Sequence, residues 1–278
     1  MKDQFNKGLL LTSLGSFWWG FIGVIYFQYV SFIGHIELVV HRCLWTAVML
    51  LLTTTFFSKW SLFKRIIKNK NYLFGLFISG FLIFINWAVW IYAVATERII
   101  DASFGYFIMP IISVLLGYIF FKEKLNKKRI FSIILVSISI LILIFFNLKS
   151  LPWVGLIVAF SWAFYNLIRK KIDVDTDIGL LIESLYILPF ALVAFYLIAK
   201  AGVNDFSFSN TGLSLFLILA GPMTVIPLFL YVRGVELIGL GPTGMIFYIT
   251  PTLQFILGYF YYNEGFSIIK FVSFIIIW

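Results

Sequence analysis

Long apolar stretches separated by short connections constrain this chain more than any other feature of its sequence. A helix needs about 20 residues, with a usable range of about 17–25, to cross the hydrocarbon core of a bilayer. Nine stretches reach or approach that length: Gly8–Val30, His35–Phe57, Tyr72–Ala95, Ala102–Phe121, Ile130–Asn147, Trp153–Ile168, Gly179–Ala199, Gly212–Val232 and Leu240–Tyr262. Hydrophobic residues make up 62% of the 278 positions and charged residues only 12%. The sequence therefore predicts an all-α integral membrane protein, since a soluble domain needs more polar cover.

A tenth apolar stretch, Phe266–Trp278, is shorter than the others. Its 13 residues would extend roughly 20 Å as a helix, which is less than the core of a bilayer. We expect either a clipped C-terminus or a last helix that crosses incompletely, and we favour clipping. The full prediction is ten transmembrane helices, of which the tenth is short or truncated. The basic start, Met1–Lys7, leads into the first helix and is not interpreted as a cleaved signal.

The distribution of Lys and Arg predicts the orientation of these helices. Positive residues concentrate in the cytoplasmic connections of membrane proteins. With the N-terminus in the cytoplasm, 16 of the 21 Lys and Arg residues lie in cytoplasmic segments and 3 lie outside. The other two, Arg42 and Lys270, fall inside predicted helices. Because the basic residues form no continuous face, the net charge of +9 does not indicate nucleic-acid binding.

The chain resembles itself at an offset of 141 positions. That register pairs Ile108 with Ile249, Pro110 with Pro251, Gly117 with Gly258, Tyr118 with Tyr259, Glu123 with Glu264, Trp90 with Tyr231 and Arg42 with Glu183. Chance similarity between apolar stretches explains shared Ile or Phe, but it does not easily explain shared Pro, Gly and Glu. Each half, residues 1–147 and 148–278, then holds five helices, so the second half enters the membrane inverted. Such repeats are typical of secondary transporters, whose substrate site lies between the halves.

Several motifs, in order along the chain, carry a family resemblance: His41-Arg42 with Trp45, Asn86-Trp87, Ala102–Pro110, Pro152-Trp153, Gly221–Leu228, and Phe247–Phe255 ahead of Glu264. Together they resemble the RarD branch of the EamA-type transporters, in the drug/metabolite transporter superfamily. The resemblance extends from the first helix into the tenth. It implies a ten-helix, multi-pass permease of the bacterial-type cytoplasmic (inner) membrane with both termini in the cytoplasm. The substrate of this branch is poorly defined, and the short tenth helix departs from the family pattern.

Ionisable residues inside a bilayer are costly and are therefore candidates for function. Arg42 and Glu183 are repeat mates, so an inverted repeat places them at mirrored depths facing one cavity. We hypothesise that Arg42 attracts an anionic group of the substrate, and that Glu183 binds a cationic group or a coupling proton. The alternative is that each snorkels or pairs within the protein. Glu37 and His41, four residues apart on one helix face, predict either a proton relay or an interfacial helix cap.

Aromatic and helix-breaking residues complete the candidate site. Asn86, Trp87 and Trp90 are predicted to line the cavity, where Asn supplies hydrogen bonds and Trp stacks on flat groups; helix packing is the alternative. Four prolines inside predicted helices are candidate hinges because proline removes a backbone donor: Pro110, Pro251, Pro222 and Pro227. Tyr106 and Tyr248, close to two of these kinks, are candidate gate or cavity residues.

The function predicted from the sequence is a secondary-active or facilitative permease for a small polar metabolite, either amino-acid-like or drug-like. Its partners would be this small-molecule substrate and the lipid bilayer, while dimerisation stays open. Two histidines and the single Cys43 do not provide the usual zinc ligands, and no cofactor or metal is expected. The alternatives are a membrane-embedded enzyme or lipid scramblase, which would need clustered acids, histidines or a nucleophile, and a non-transporting partner subunit.

Overall fold

The protein is described here by a computed structural model that covers residues 2–95, 99–125, 127–147, 153–172 and 174–260, together with positions 268, 272, 275 and 276. Every regular element in these ranges is helical: α1 Lys2–Phe17, α2 Gly23–Tyr29, α3 His35–Phe56, α4 Trp60–Ile66, α5 Lys70–Ala95, α6 Ile99–Phe121, α7 Lys127–Asn147, α8 Trp153–Lys171, α9 Thr176–Lys200, α10 Thr211–Ile238, α11 Leu240–Ile246 and α12 Ile249–Phe260. A π-helical turn, Trp18–Ile22, joins α1 to α2. The predicted all-α class is confirmed for this part of the chain.

Five of the described helical spans are long and apolar enough to cross a bilayer: Asp3–Tyr29, His35–Phe56, Lys70–Ala93, Thr176–Lys200 and Thr211–Ile238. Large apolar side chains on their outer faces are exposed, including Phe56 and Phe190. Lipid contact accounts for such exposure, because lipid tails are as apolar as these side chains. Glu264, Lys270 and nearly all of the predicted tenth helix, Phe266–Trp278, lie outside the described residues.

The predicted ninth helix is broken in the structure. It consists of α11 and α12, which are separated at Phe247 and Tyr248. Pro251 explains the break, because proline lacks an N–H and its ring clashes with the carbonyl of the residue four positions earlier, here Phe247. Pro110, Pro222 and Pro227 instead lie inside continuous helices. The short helix α4 was not predicted from the sequence.

The helices pack in a regular pattern of neighbours. Helix α10 lies against α1 and α3, and α8 lies against α5 and α6. Helix α9 contacts both α3 and α5. Glycines bring two of these pairs close together, since a Cβ at Gly80 would lie 3.2 Å from the backbone of Glu183, and a Cβ at Gly221 would lie 2.5 Å from the Trp45 carbonyl oxygen.

Contacts between the connections define two ends of the bundle. The basic end carries the connections from α3 to α5, α6 to α7 and α8 to α9, where Lys59 pairs with Asp177 at 2.6 Å. The opposite end carries the connection from α2 to α3 and the long connection from α9 to α10. At that end Glu37 accepts backbone N–H bonds from Asp205 and Phe206, and this contact fixes the long connection against α3.

Candidate functional site

A cavity lies among the helices in the half of the bundle nearer the opposite end. It encloses about 490 Å³, its mouth included. Its described lining consists of Trp19, Gly23, Phe27, Arg42, Asn86, Trp87, Trp90, Tyr106, Trp162, Phe247, Thr250 and Gln254. Its lining residues belong to the first two spans, to α5, α6 and α8, and to the segment from α11 to α12. The cavity therefore lies where elements from both halves of the sequence meet. We call it the Arg42 cavity.

Arg42 is the charged residue of this lining and is 5% exposed. It lies on α3, two turns from His35. Its Nε donates a 3.0 Å hydrogen bond to the Thr224 hydroxyl on α10. Its guanidinium carbon lies 4.8 Å from the ring centre of Phe27 and 4.7 Å from that of Trp87. Among the described residues no carboxylate pairs with Arg42, so its positive charge is compensated only by a hydroxyl and by aromatic faces.

Asn86 holds α5 against α8 beside the cavity. Its Nδ2 donates to the Val158 carbonyl at 3.0 Å and to the Ser161 hydroxyl at 3.1 Å. These bonds fix the orientation of the amide, so its carbonyl oxygen is the group available to a ligand. Asn86 therefore serves both helix packing and the lining, which were the two predicted alternatives.

An aromatic cluster of Trp19, Trp162, Tyr231 and Phe247 closes the cavity towards the basic end. The ring centres of Trp19 and Trp162 are 5.0 Å apart, and those of Tyr231 and Phe247 are 5.4 Å apart. Trp162 also lies 5.4 Å from Tyr231. Separations of 4.5–7 Å in tilted geometries are those that aromatic pairs prefer. The cluster contains residues from four separate elements, so opening it requires those elements to move apart.

Behind the aromatic cluster lies a buried ionic cluster formed by Arg169, Glu183 and Glu236. Tyr165 connects the two clusters, since its ring stacks on Trp162 and its hydroxyl lies 3.3 Å from Glu183 Oε2. The Arg169 guanidinium lies 3.5 Å from Glu183 and 3.7 Å from Glu236. The Arg169 and Glu183 side chains are 0% and 2% exposed.

Polar contacts continue from Glu236 and Glu123 to the basic end. Glu236 accepts hydrogen bonds from Arg233 at 2.8 Å and from Thr176 at 2.7 Å. Lys170 donates to the Glu236 backbone carbonyl at 2.6 Å. Glu123 accepts the N–H groups that begin α11, each at 2.8 Å. Charge-assisted hydrogen bonds, which are the stronger ones, thus hold α8, α9 and α10 together at the basic end, and they hold the start of α11 to the connection after α6.

A thinner barrier separates the Arg42 cavity from the opposite end. Phe27 and Trp90 form an edge-to-face pair with ring centres 5.4 Å apart. Both rings also line a second cavity of about 240 Å³, whose other lining residues are Ser31, Ile33, His35, Leu38 and Ile91. These residues belong to the opposite end of the bundle. Among the described residues, Phe27 and Trp90 are thus the pair that the linings of the two cavities share.

The structure brings together five of the predicted cavity residues: Arg42, Asn86, Trp87, Trp90 and Tyr106. Glu183 is not in this lining, because Ser79 donates to it at 2.5 Å and Arg169 pairs with it in the ionic cluster. Tyr248 also lies outside the lining, since its hydroxyl donates to the Phe107 carbonyl. Its neighbour Phe247, also in the break between α11 and α12, contacts the cavity instead.

The predicted pair of Glu37 and His41 is present at 3.4 Å. Two features restrict it to a structural role in this conformation. Glu37 is bound to backbone N–H groups of the long connection, and His41 Nδ1 accepts a hydrogen bond from Trp45 at 3.1 Å. Neither residue is in the described lining of the Arg42 cavity. Among the described residues, no group of three His, Cys, Asp or Glu is placed to hold a metal ion.

Sequence reasoning missed Trp19, Phe27, Trp162 and Arg169. The three aromatic residues lie within apolar stretches that contain many other rings, so nothing local distinguishes them from lipid-facing residues. Arg169 follows the predicted helix Trp153–Ile168 directly and was counted among the connecting residues. The burial of Arg169 could be inferred only from the acidic residues that pair with it, Glu183 and Glu236, and these lie on other helices.

A bundle of long apolar helices around an enclosed cavity defines a multi-pass membrane protein. A model of the EamA-like transporter family matches residues 6–145. The RarD protein of Escherichia coli K12 is 34% identical over 275 residues, which are 99% of this chain and 92% of that protein. A Bacillus subtilis protein named uncharacterized transporter YojE is 34% identical over 276 residues, 98% of this chain and 91% of its own. An uncharacterized transporter of Vibrio cholerae is 33% identical over 278 residues, 100% of this chain and 91% of its own.

The chain belongs to the EamA-like transporter family, and within it to the RarD branch. This confirms the resemblance inferred from the motifs. It also places the chain among the membrane transporters of the drug/metabolite superfamily. A transport mechanism for this chain therefore has to involve the Arg42 cavity and its barriers.

Proposed function

We propose that this protein is a ten-helix permease that moves a small metabolite across the membrane by alternating access. The observation that carries the proposal is a buried arginine that no carboxylate of the described residues pairs with, in a cavity bounded by an aromatic barrier on each side. A buried charge without a counter-ion is costly unless a ligand supplies one. A membrane protein keeps such a group where a substrate passes.

The helix contacts support two inverted repeats. The offset of 141 makes the first span, Asp3–Tyr29, equivalent to α8, α3 to α9, α5 to α10, and α6 to α11 and α12 together. Under that equivalence the contact of α1 with α10 mirrors that of α8 with α5, and α3 with α10 mirrors α9 with α5. The contact of α6 with α8 likewise mirrors that of α11 and α12 with the first span. Neighbour pairs of one repeat thus recur in the other.

Matching residues at these mirrored contacts support the same repeat. Gly80 and Gly221 differ by 141 positions and permit the close approaches of α5 to α9 and of α10 to α3. Arg42 bonds to the hydroxyl of Thr224 on α10, and its mate Glu183 bonds to that of Ser79 on α5. At the offset of 141, Ser79 falls four positions before Thr224, which is about one helical turn.

The orientation we propose places the basic end in the cytoplasm, in accordance with the positive-inside rule. In the conformation described here, the Arg42 cavity then has a barrier on each side. Towards the outside it is closed by the Phe27–Trp90 pair, and towards the cytoplasm by the aromatic cluster and the ionic cluster. Alternating access requires the Phe27–Trp90 pair to open while the two clusters on the cytoplasmic side are closed. It also requires those clusters to open while the Phe27–Trp90 pair is closed. Separation of α8 from α10 would break the contacts of Glu236 and open the cytoplasmic side.

Flux into proteoliposomes tests the proposal. Purified protein is reconstituted and supplied with pooled labelled organic anions, cations, amino acids and nucleosides, with and without imposed proton gradients. We expect selective uptake that Arg42→Ala abolishes. Arg65→Ala, which removes a positive charge from an exposed position on α4, is the matched control and should transport normally. Absence of flux for every compound would contradict the permease and favour a non-transporting partner subunit.

A further inference from the structure

We propose that the Arg42 cavity selects organic monoanions, namely molecules with one carboxylate on a flat apolar body and without a cationic group. This inference rests on the proposed permease function and names the substrate class of the same site. It differs from the amino-acid-like substrate considered from the sequence, since a zwitterion would need both Arg42 and Glu183 to face one cavity. The charges, the donor geometry and the walls of the cavity each bear on it.

The charges around the cavity are of one sign among the described residues. Arg42 lines the cavity, whereas Asp and Glu are absent from its described lining. Glu183, the expected acidic partner, is neutralised by Arg169 behind the aromatic cluster. Glu37 is bound to the backbone of the connection from α9 to α10. A bound anion would therefore gain a counter-charge in the cavity, and a bound ammonium group would gain none.

The geometry of Arg42 suits a carboxylate. The hydrogen bond from Nε to Thr224 fixes one edge of the planar guanidinium and leaves its terminal N–H donors for a ligand. Phe27 and Trp87 pack within 5 Å of the guanidinium carbon, so they hold its plane. A fixed guanidinium binds a carboxylate through two parallel hydrogen bonds. A flexible ammonium would not impose that geometry.

The aromatic walls determine the body of the ligand. Trp19, Trp90, Tyr106 and Trp162 supply ring surfaces around the volume that Arg42 faces. Rings of this kind stack on flat apolar groups and exclude water from them. Asn86 and Gln254 add polar groups for one substituent on the body.

Aromatic rings also attract cations, which would favour an amine if nothing opposed it. Arg42 already occupies the faces of Phe27 and Trp87. An ammonium group would share an aromatic-walled space with the guanidinium. Like charges in such a space repel, and the ammonium group would also lose its hydration. The repulsion by Arg42 therefore outweighs the attraction of the remaining rings, and the same argument disfavours the ammonium group of an amino acid.

Binding of matched ligand series to the purified, full-length protein tests this inference. Each series keeps one ring body and changes only the charged group. For the indole body the four probes are indole-3-propionate, tryptophan, tryptamine and indole-3-propionamide; a phenyl series has the same four forms. Dissociation constants are measured by competition against the labelled propionate, with wild type, Arg42→Ala and Arg65→Ala. Circular dichroism and elution volume verify that each variant is folded.

We expect the propionates to bind, with the amino acids and amides weaker by roughly tenfold or more and the amines weakest. Arg42→Ala should remove the preference of the propionate over the amide, while Arg65→Ala should keep it. Equal or tighter binding of an amino acid or an amine would overturn the inference, as would failure of every propionate to bind. Those results would not contradict the proposed permease function if flux of any compound persists. Absence of flux for all compounds would instead contradict the proposed function.

Discussion

Two buried arginines, Arg42 and Arg169, have opposite surroundings. Arg169 lies between two carboxylates and close to the basic end. In the described part of the chain, the partners of Arg42 are a hydroxyl and two rings, and Arg42 lines a cavity. Since both are removed from water, the difference lies in where the protein supplies the compensating negative charge. At Arg169 that charge comes from neighbouring helices and holds them together. At Arg42, under the function proposed above, that charge comes from a ligand.

The largest predicted effect comes from breaking the internal pair. Glu183→Gln leaves Arg169 with a weaker counter-charge, and loss of one partner of a buried pair costs about 3–5 kcal/mol. We expect a marked fall in the thermal unfolding temperature of the detergent-solubilised protein. Lys59→Met, which breaks a partly exposed pair with Asp177, is the control and should change that temperature little. Equal effects of both substitutions would contradict the structural role of the Arg169–Glu183 pair.

A smaller effect is predicted for Arg42→Lys. The positive charge remains, but the planar donor pair and its packing on Phe27 and Trp87 are lost. Affinity for a bound monoanion should fall roughly tenfold, with the thermal unfolding temperature nearly unchanged. Isothermal titration with indole-3-propionate measures the affinity. If Arg42→Lys binds as tightly as wild type, the carboxylate is not held by the guanidinium geometry and charge alone accounts for binding.

The smallest effect is predicted for the thin barrier. Trp90→Ala removes one ring of the Phe27–Trp90 pair, and such pairs contribute about 0.5–1.5 kcal/mol beyond their buried area. We expect faster exchange of bound ligand with the opposite side, measured as a higher dissociation rate by stopped flow. Trp60→Ala, on α4 at the basic end, removes the same ring far from the cavity. A dissociation rate that rises equally in both variants would show that the Phe27–Trp90 pair is not the barrier.

The sequence predicted the parts of this architecture that depend on local patterns. Segment length and apolarity located the five spans that the structure describes, and the offset of 141 predicted that Arg42 and Glu183 are mates. The partners of these two residues were not predictable in the same way. Ser79, Arg169 and Thr224 are separated from them by up to 182 positions, and only helix packing brings them into contact.

The interior of the bundle was also harder to predict than its boundaries. In a lipid-facing protein, rings occur on both the outer and inner faces of a helix, so Trp19 and Trp162 carry no periodic signal of burial. The break at Phe247 could have been anticipated from Pro251, since proline disrupts the hydrogen bond to the residue four positions earlier. Which of Phe247 and Tyr248 contacts the cavity depends on the geometry of that break.

The most direct test of the account is the accessibility of one cavity position from both sides of the membrane. Gln254, which lines the Arg42 cavity, is replaced by cysteine in a Cys43→Ala background and treated with a membrane-impermeant thiol reagent. Phe56→Cys, exposed at the basic end, reports which side of each vesicle is reached. Alternating access predicts that Gln254→Cys is labelled in both right-side-out and inside-out vesicles, while Phe56→Cys is labelled from the cytoplasmic side alone. Labelling of Gln254→Cys from one side under all ligand conditions would contradict the account.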